Sequence, residues 1–373
     1  MNKHSLIKHL GNQRGIVAIF AGILIVAMLG FFALAIELAW GLVTRNELQN
    51  ISDGSALAAA RWIGAKYDGS LTGTPMTYEE QMAYDSTADR ATIVGRANAV
   101  ATENMAGGMH PISISDVDVV IGHWDPATRI LTADPMHPNA VSVTARRDNA
   151  MNGPLLTTFA RLIGIDSMNV SSNAVAALTS LNNVGPGGLP FPVGISHYWF
   201  DYYKATGYCN QAIRFYPTND IVGCAGWNIF ISNKNANAKD LRTLVIGLTN
   251  GTITSPETHA YKDEFAFIGG TVASAFPELI TLFDTMRVKN DGLLDADDND
   301  LTWTTTVPVY DSDDCSNPSG NITIVGFATV KITKVTDSPA KTIEGIVECG
   351  NIREGRGGGD DTGTLGSIPG LVK

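Results

Sequence analysis

Positive charge is scarce in this chain. Lysine and arginine number 26 against 37 aspartates and glutamates, a formal net charge of −11. The basic residues are scattered, so no groove for a phosphate backbone is implied and a nucleic-acid partner is excluded. Catalytic signatures are missing as well. There is no H-E-x-x-H, no G-x-S-x-G, no Walker loop and no dinucleotide fingerprint. The histidines at 4, 9, 110, 123, 137, 197 and 259 follow no metal-ligand spacing. No enzymatic activity, cofactor or small-molecule substrate is expected. The first half lacks cysteine altogether, and the C-x-x-C spacing of zinc ribbons and thioredoxin-like sites is absent. Finally, no second predominantly apolar run reaches membrane length, so one crossing is expected.

What is present is one such run. Ile16 to Ile36, IVAIFAGILIVAMLGFFALAI, carries no charge over 21 residues. At about 1.5 Å per residue it crosses a hydrocarbon layer of about 30 Å. A signal peptide has a shorter apolar core followed by a small-x-small cleavage site. Ala33-Leu34-Ala35 offers that site, but the run is long and the helical pattern continues through it, which favours an uncleaved signal-anchor. Lys3, Lys8 and Arg14 precede the run without an acid, whereas Glu37, Arg45 and Glu47 follow it. The positive-inside rule then predicts a cytoplasmic N-terminus, with everything after the run in the periplasm or outside the cell. Within the run, Ala18 and Gly22 form a small-xxx-small pair that can seat a partner helix.

The expected architecture is α+β, with a basic cytoplasmic stub (1–15), a transmembrane helix (16–36) and a helical stalk (37–66). Leu38, Leu42, Leu48, Ile51 and Leu57 recur at near-helical spacing along the stalk, and a kink is expected near Gly54. The charged and polar residues Glu37, Arg45, Asn50 and Asp53 are candidate contacts to a partner helix, because charges there must be solvated or paired. A small exported α+β domain is expected over 67–180. It has a helix near Tyr78 to Met105 stopped by Gly107 and Gly108, strands over 117–125 and 139–148, a short helix at 154–165 and a strand at 168–178. A Gly/Pro-rich joint (181–190) separates it from a β-rich exported domain (191–350). There, 241–248 and 321–335 read as strands and 272–286 as a helix with Pro277 in its first turns. The Gly-rich stretch 351–373 reads as a flexible tail.

Cys209, Cys224, Cys315 and Cys349 fit two disulfides if this half lies in an oxidising compartment, or four buried thiols otherwise. Of three pairings, Cys209–Cys224 and Cys315–Cys349 close the shortest loops. The acidic stretch KNDGLLDADDNDLTW offers Asp291, Asp295, Asp297 and Asp298 as oxygen ligands for calcium, although the offsets of the calcium-loop motif are not met. A solvated acidic loop is the default.

The segment RGIVAIFAGILIVAMLGFFALAIELAWGLVTRNELQNISDGSALAAA resembles the start of the TadE/TadG-like family of tight-adherence (Flp) pilus assembly proteins. The resemblance lies in the order Arg14, Gly15, apolar run, Glu37, Arg45, Leu48, Gln49, Asn50, Asp53, Ala56 and Ala58 to Ala60. A looser likeness covers FARLIGIDSMNVSSNAVA. The resemblance implies a non-enzymatic, membrane-anchored component with a large exported region and other pilus assembly membrane proteins as partners. Relatives processed like pilins carry Glu five residues after the cleaved Gly. Phe20 stands there in this chain, so the resemblance is nearer to the TadG anchor than to the TadE pseudopilin. The D-x-S-x-S string of adhesion-type metal sites is absent. The alternative is an envelope adhesin or calcium-dependent module using 191–350.

Overall fold

The computed structural model describes residues 4–216, 220–232, 236–268, 273–289, 301–337, 339 and 341–373, with backbone alone at 4–16, 273 and 288–289. Its first element is a single helix, α1 (His4–Tyr67), 64 residues and therefore about 96 Å long. Every residue from Val17 to Phe32 is exposed, and nearly all are apolar. Farther along the same helix Leu48, Ile51, Ala56, Ala59, Ala60 and Ile63 are fully or almost fully buried. One helix thus carries two kinds of surface, apolar all round and then amphipathic.

Residues 37–66 are therefore no free-standing stalk. They form the central helix of the first globular unit, with their alanines against the sheet and α3. Small side chains at those positions let the partners approach closely. The helix continues through Gly54. A Cβ at Gly54 would lie 3.1 Å from Val100 Cγ1, so this glycine serves packing.

The first unit adds α2 (Tyr78–Met82), α3 (Arg90–Thr102), β1 (Val119–Asp125), β2 (Ile130–Ala133), β3 (Ala140–Arg147), β4 (Leu155–Leu156), β5 (Ser167–Met168) and β6 (Val170–Ala177). A five-stranded antiparallel sheet has the order Gly370–Leu371, β6, β3, β1, β2. Its registers stack Val143 on Ala174 and Val119, and Val141 on Ala176 and Ile121. That period-two apolar face covers α1 and α3, where Ile93, Ala97 and Ala101 are buried. The helix expected over 78–105 is divided in two. The interruption is tied to the loop after β2, with Ser86 N–H donating to the Pro135 carbonyl (2.9 Å) and His137 N–H to the Tyr84 carbonyl (2.7 Å). The short helix expected at 154–165 is instead the two-residue pair β4–β5 closed by a 3-10 turn, Ala160–Ile163.

In the second unit an eight-stranded sheet has the order 288–289, 301–310, 193–196, 225–228, 264–268, 320–336, 342–348 and 212–216. The 17-residue strand Gly320–Thr336 changes partners along its length, pairing first with Glu264–Phe267, then with Trp303–Tyr310 and with Thr342–Glu348. Trp199, Trp227, Phe215, Phe267, Tyr310 and Phe327 fill its core. Residues 241–248, read as a strand from the sequence, lie in the helix Ala238–Thr249, capped by Asn237. Leu241, Leu244, Val245 and Leu248 are its buried face, an i, i+3, i+4, i+7 stripe. The helix expected near Pro277 is present as Phe276–Met286, with the proline in its first turn.

Residues 351–373 are strands and not a frayed tail. Ile352–Arg356 pairs in parallel with Leu365–Ile368, and Gly370–Leu371 adds to β6. Buried threonines tie this stretch to the second unit: Thr362 Oγ1 donates to the Phe327 carbonyl (2.6 Å), and the Thr364 and Thr329 hydroxyls lie 2.8 Å apart. The joint at 181–190 is likewise packed. Leu181 and Leu189 are fully buried, and Asn183–Val184 pairs with Thr258–His259.

The short-loop disulfide pairing is replaced by Cys209–Cys349 and Cys224–Cys315, with Cα separations of 5.4 and 4.6 Å. Sheet register is the reason. Asn210 N–H donates to the Val347 carbonyl at 2.8 Å, which sets Cys209 beside Cys349. Ser196 bridges the other pair, its N–H on the Cys224 carbonyl (3.0 Å) and its hydroxyl on the Asp314 carbonyl (3.0 Å).

Candidate membrane-proximal site

Glu37 is the first charged residue after the apolar run, and only 8% of it is exposed. Its carboxylate accepts three backbone N–H bonds, from Thr158 (2.5 Å), Phe159 (2.7 Å) and Ala160 (2.7 Å). These amides open the 3-10 turn and have no acceptor within it, so the carboxylate caps the turn across 121 residues of chain. Burial pushes the Glu37 carboxyl up, but the three amide donors outweigh it and hold the group below its ordinary value.

The base of the same hairpin is clamped by Arg147, at the end of β3. Its guanidinium donates to the carbonyls of Ala106 (3.1 Å), Gly107 (2.7 Å), Gly153 (3.2 Å) and Pro154 (3.2 Å). Gly107 in turn donates its N–H to the Glu47 carboxylate at 2.7 Å. Two acids of α1, Glu37 and Glu47, therefore fix the 106–108 turn and the 155–168 hairpin against the helix just outside the apolar run.

The other expected stalk contacts divide. Asp53 is half-buried and accepts from Gln49 Nε2 at 2.6 Å, so it is engaged within the chain. Arg45 and Asn50 are exposed; the Arg45 carbonyl accepts from the Ser172 hydroxyl at 3.2 Å. Ala18 and Gly22 are exposed on the apolar run, and nothing lies within 4 Å of the position of a Gly22 Cβ. The proposed calcium ligands Asp291, Asp295, Asp297 and Asp298 fall outside the described residues. Among the described residues no group of three His, Cys, Asp or Glu side chains converges as a metal site.

Sequence reasoning missed Arg147 and a second ionic cluster between the units. Lys331 Nζ lies 3.6 Å from Glu79 and 3.9 Å from Glu348. Glu348 is pushed up to about 7, chiefly by burial. The half-buried Arg353 guanidinium is lowered by desolvation and partly restored by Glu348. Nothing in local spacing announces either cluster, because strand pairing assembles both.

Two stretches match family models. Residues 15–61 match that of the Flp pilus-assembly TadE/G-like proteins, and residues 79–176 that of the Tad-like Flp pilus-assembly proteins. The first stretch covers most of α1, with the apolar run; the second covers most of the first unit, including the hairpin that Glu37 caps. Both matches thus fall on α1 and the first unit. No curated protein and no solved structure matches the chain.

Proposed function

We propose that this chain is a non-enzymatic, membrane-anchored assembly component of a tight-adherence (Flp) pilus system, of the TadG kind. α1 crosses the inner membrane once with its N-terminus in the cytoplasm, and both globular units lie outside. The observation that carries the reading is the change of surface along one helix: Val17 to Phe32 is exposed and apolar on every side, whereas Leu48 to Ile63 is packed into a protein core. An apolar helix exposed over 16 residues has lipid as its fitting surroundings. The basic residues before the run and acids after it support the orientation. Two disulfides suit an oxidising compartment outside the cytoplasm. Phe20 at the pilin-processing position supports an anchor over a polymerised subunit. Arg45 and Asn50, exposed on the outer helix, are the side chains left available to a partner.

The test is fractionation followed by capture. The chain should resist alkaline extraction from membranes, be digested by protease added to spheroplasts, and co-purify with other Tad-system membrane proteins after mild solubilisation. Replacing Ile16–Ile36 with an unrelated anchor should abolish the last. A soluble mature chain beginning after Ala35 would overturn the reading.

A further inference from the structure

Past Glu37, the 155–168 hairpin doubles back along α1 toward the apolar run, and its tip faces outward with side chains unusual for an exported loop. Leu162 is 85% exposed, Ile163 67% and Leu156 73%. Phe159, Leu162 and Ile163 border a shallow apolar groove whose other wall is Gly30, Phe31 and Leu34 of α1. At about 1.5 Å per residue, Gly30 lies about 10 Å beyond Glu37 along the helix, inside the apolar run.

We propose that this hairpin is a second membrane contact, an apolar finger that dips into the outer leaflet beside the transmembrane helix. The inference rests on the membrane-anchored reading of α1. Lipid is the occupant because the exposed tip is continuous with the apolar surface of the span and sits level with it. A depth of about 10 Å is that of interfacial elements lodged between headgroups and acyl chains.

The backbone is prepared for such a place, where unsatisfied amides are costly. Glu37 takes the N–H groups of Thr158, Phe159 and Ala160. The amides of Thr157, Leu162, Gly164 and Ile165 donate to carbonyls of the hairpin itself, and the Thr157 hydroxyl donates to the Ile165 carbonyl. Arg161, within the turn, pairs with Asp166 at 3.2 Å, both exposed, and the long arginine stem lets the charge extend toward the headgroups. With the base held by Arg147, two points touch the bilayer, so the exported units cannot swivel freely about a single helix.

Spin labels on single introduced cysteines of the full chain in phosphatidylcholine/phosphatidylglycerol liposomes test this; the four native cysteines are disulfide-bonded and stay unlabelled without reductant. Leu29→Cys marks the span and Leu71→Cys the aqueous turn just past the far end of α1. The expected result is that labels at Leu162→Cys and, independently, Ile163→Cys match Leu29→Cys, with high relaxation by oxygen and little by a water-soluble nickel chelate. Labels at 162 and 163 that match Leu71→Cys, with 29 still lipidic, overturn the finger and leave the anchor standing. Labels immobilised and shielded from both agents put a second protein copy there and overturn the lipid assignment. An aqueous signal at 29 removes the anchored reading and this inference with it.

Discussion

A Cβ built on Gly64 would lie 1.9 Å from the carbonyl oxygen of Ser367. The backbone of 365–368 thus runs directly against the far end of α1, where Arg61 Nη1 also reaches the Ser367 carbonyl at 3.3 Å. Gly64→Ala forces one of two backbones to move. The expected cost is about 3 kcal/mol, at the upper end for overpacking. Thermal unfolding of the purified chain checks it, with Ala58→Gly, costing about 1 kcal/mol as a helix-interior glycine, as the comparison.

Removing the Glu37 carboxylate leaves three hairpin amides without their acceptor. Glu37→Ala is expected to loosen residues 156–168 locally, by about 1–3 kcal/mol as for buried donors left unpaired. Hydrogen exchange measured by mass spectrometry should rise in that stretch and stay unchanged in the second unit. Asn50→Ala, on the exposed face, should leave exchange at 156–168 as it was.

Two groups give opposite pH dependences. Burial raises Glu348 from 4.5 to about 7, so its contribution to stability is fully present below pH 4.5 and is lost as pH rises through about 7. His137 is depressed from 6.5 to about 4, by burial first and by His123 next, against a backbone bond with Gly350. Its contribution is present above pH 6.5 and is lost as pH falls through about 4. Over pH 4.5–6.5 the two slopes oppose each other. Glu348→Gln should therefore leave a chain that gains stability with rising pH, and His137→Asn one that loses it. Asparagine suits position 137 because φ is +43° there. Denaturant midpoints at pH 5, 6, 7 and 8 decide it; no separation of the two variants would refute the assignment.

Non-reducing peptide mapping should recover Cys209 linked to Cys349 and Cys224 linked to Cys315. Loss of the first bridge, in Cys209→Ala/Cys349→Ala, is expected to cost about 2–5 kcal/mol. Its 140-residue separation puts it toward the upper part of that range in the chain-entropy view.

The elements legible in the sequence were those whose reason is local. The apolar run and the alternation of Val141, Val143 and Ala145 name their own environments, and Pro277 marks a helix start. Residues 241–248 misled because a dense aliphatic run reads as a strand unless Leu241, Leu244, Val245 and Leu248 are counted at helical period. The disulfides misled because closeness along the chain says nothing about which strands pair. Glycine in 351–373 suggested looseness, yet a Cβ at Gly357 or Gly359 would meet Thr179 Oγ1 at 2.1 Å or the Leu181 carbonyl oxygen at 2.2 Å. Those glycines let a strand thread close beside another. Glu37 stood out as the acid ending the run, but its three donors lie more than 120 residues away.

The edge strand Gly370–Leu371 belongs to a sheet whose other members were made some two hundred residues earlier. During synthesis the first unit must wait, its β6 edge unpaired, until that distant segment emerges. A chain interrupted before residue 370 therefore leaves an unfinished, adhesive edge on that sheet. Completion of the unit made first is in this way made to depend on the residues made last.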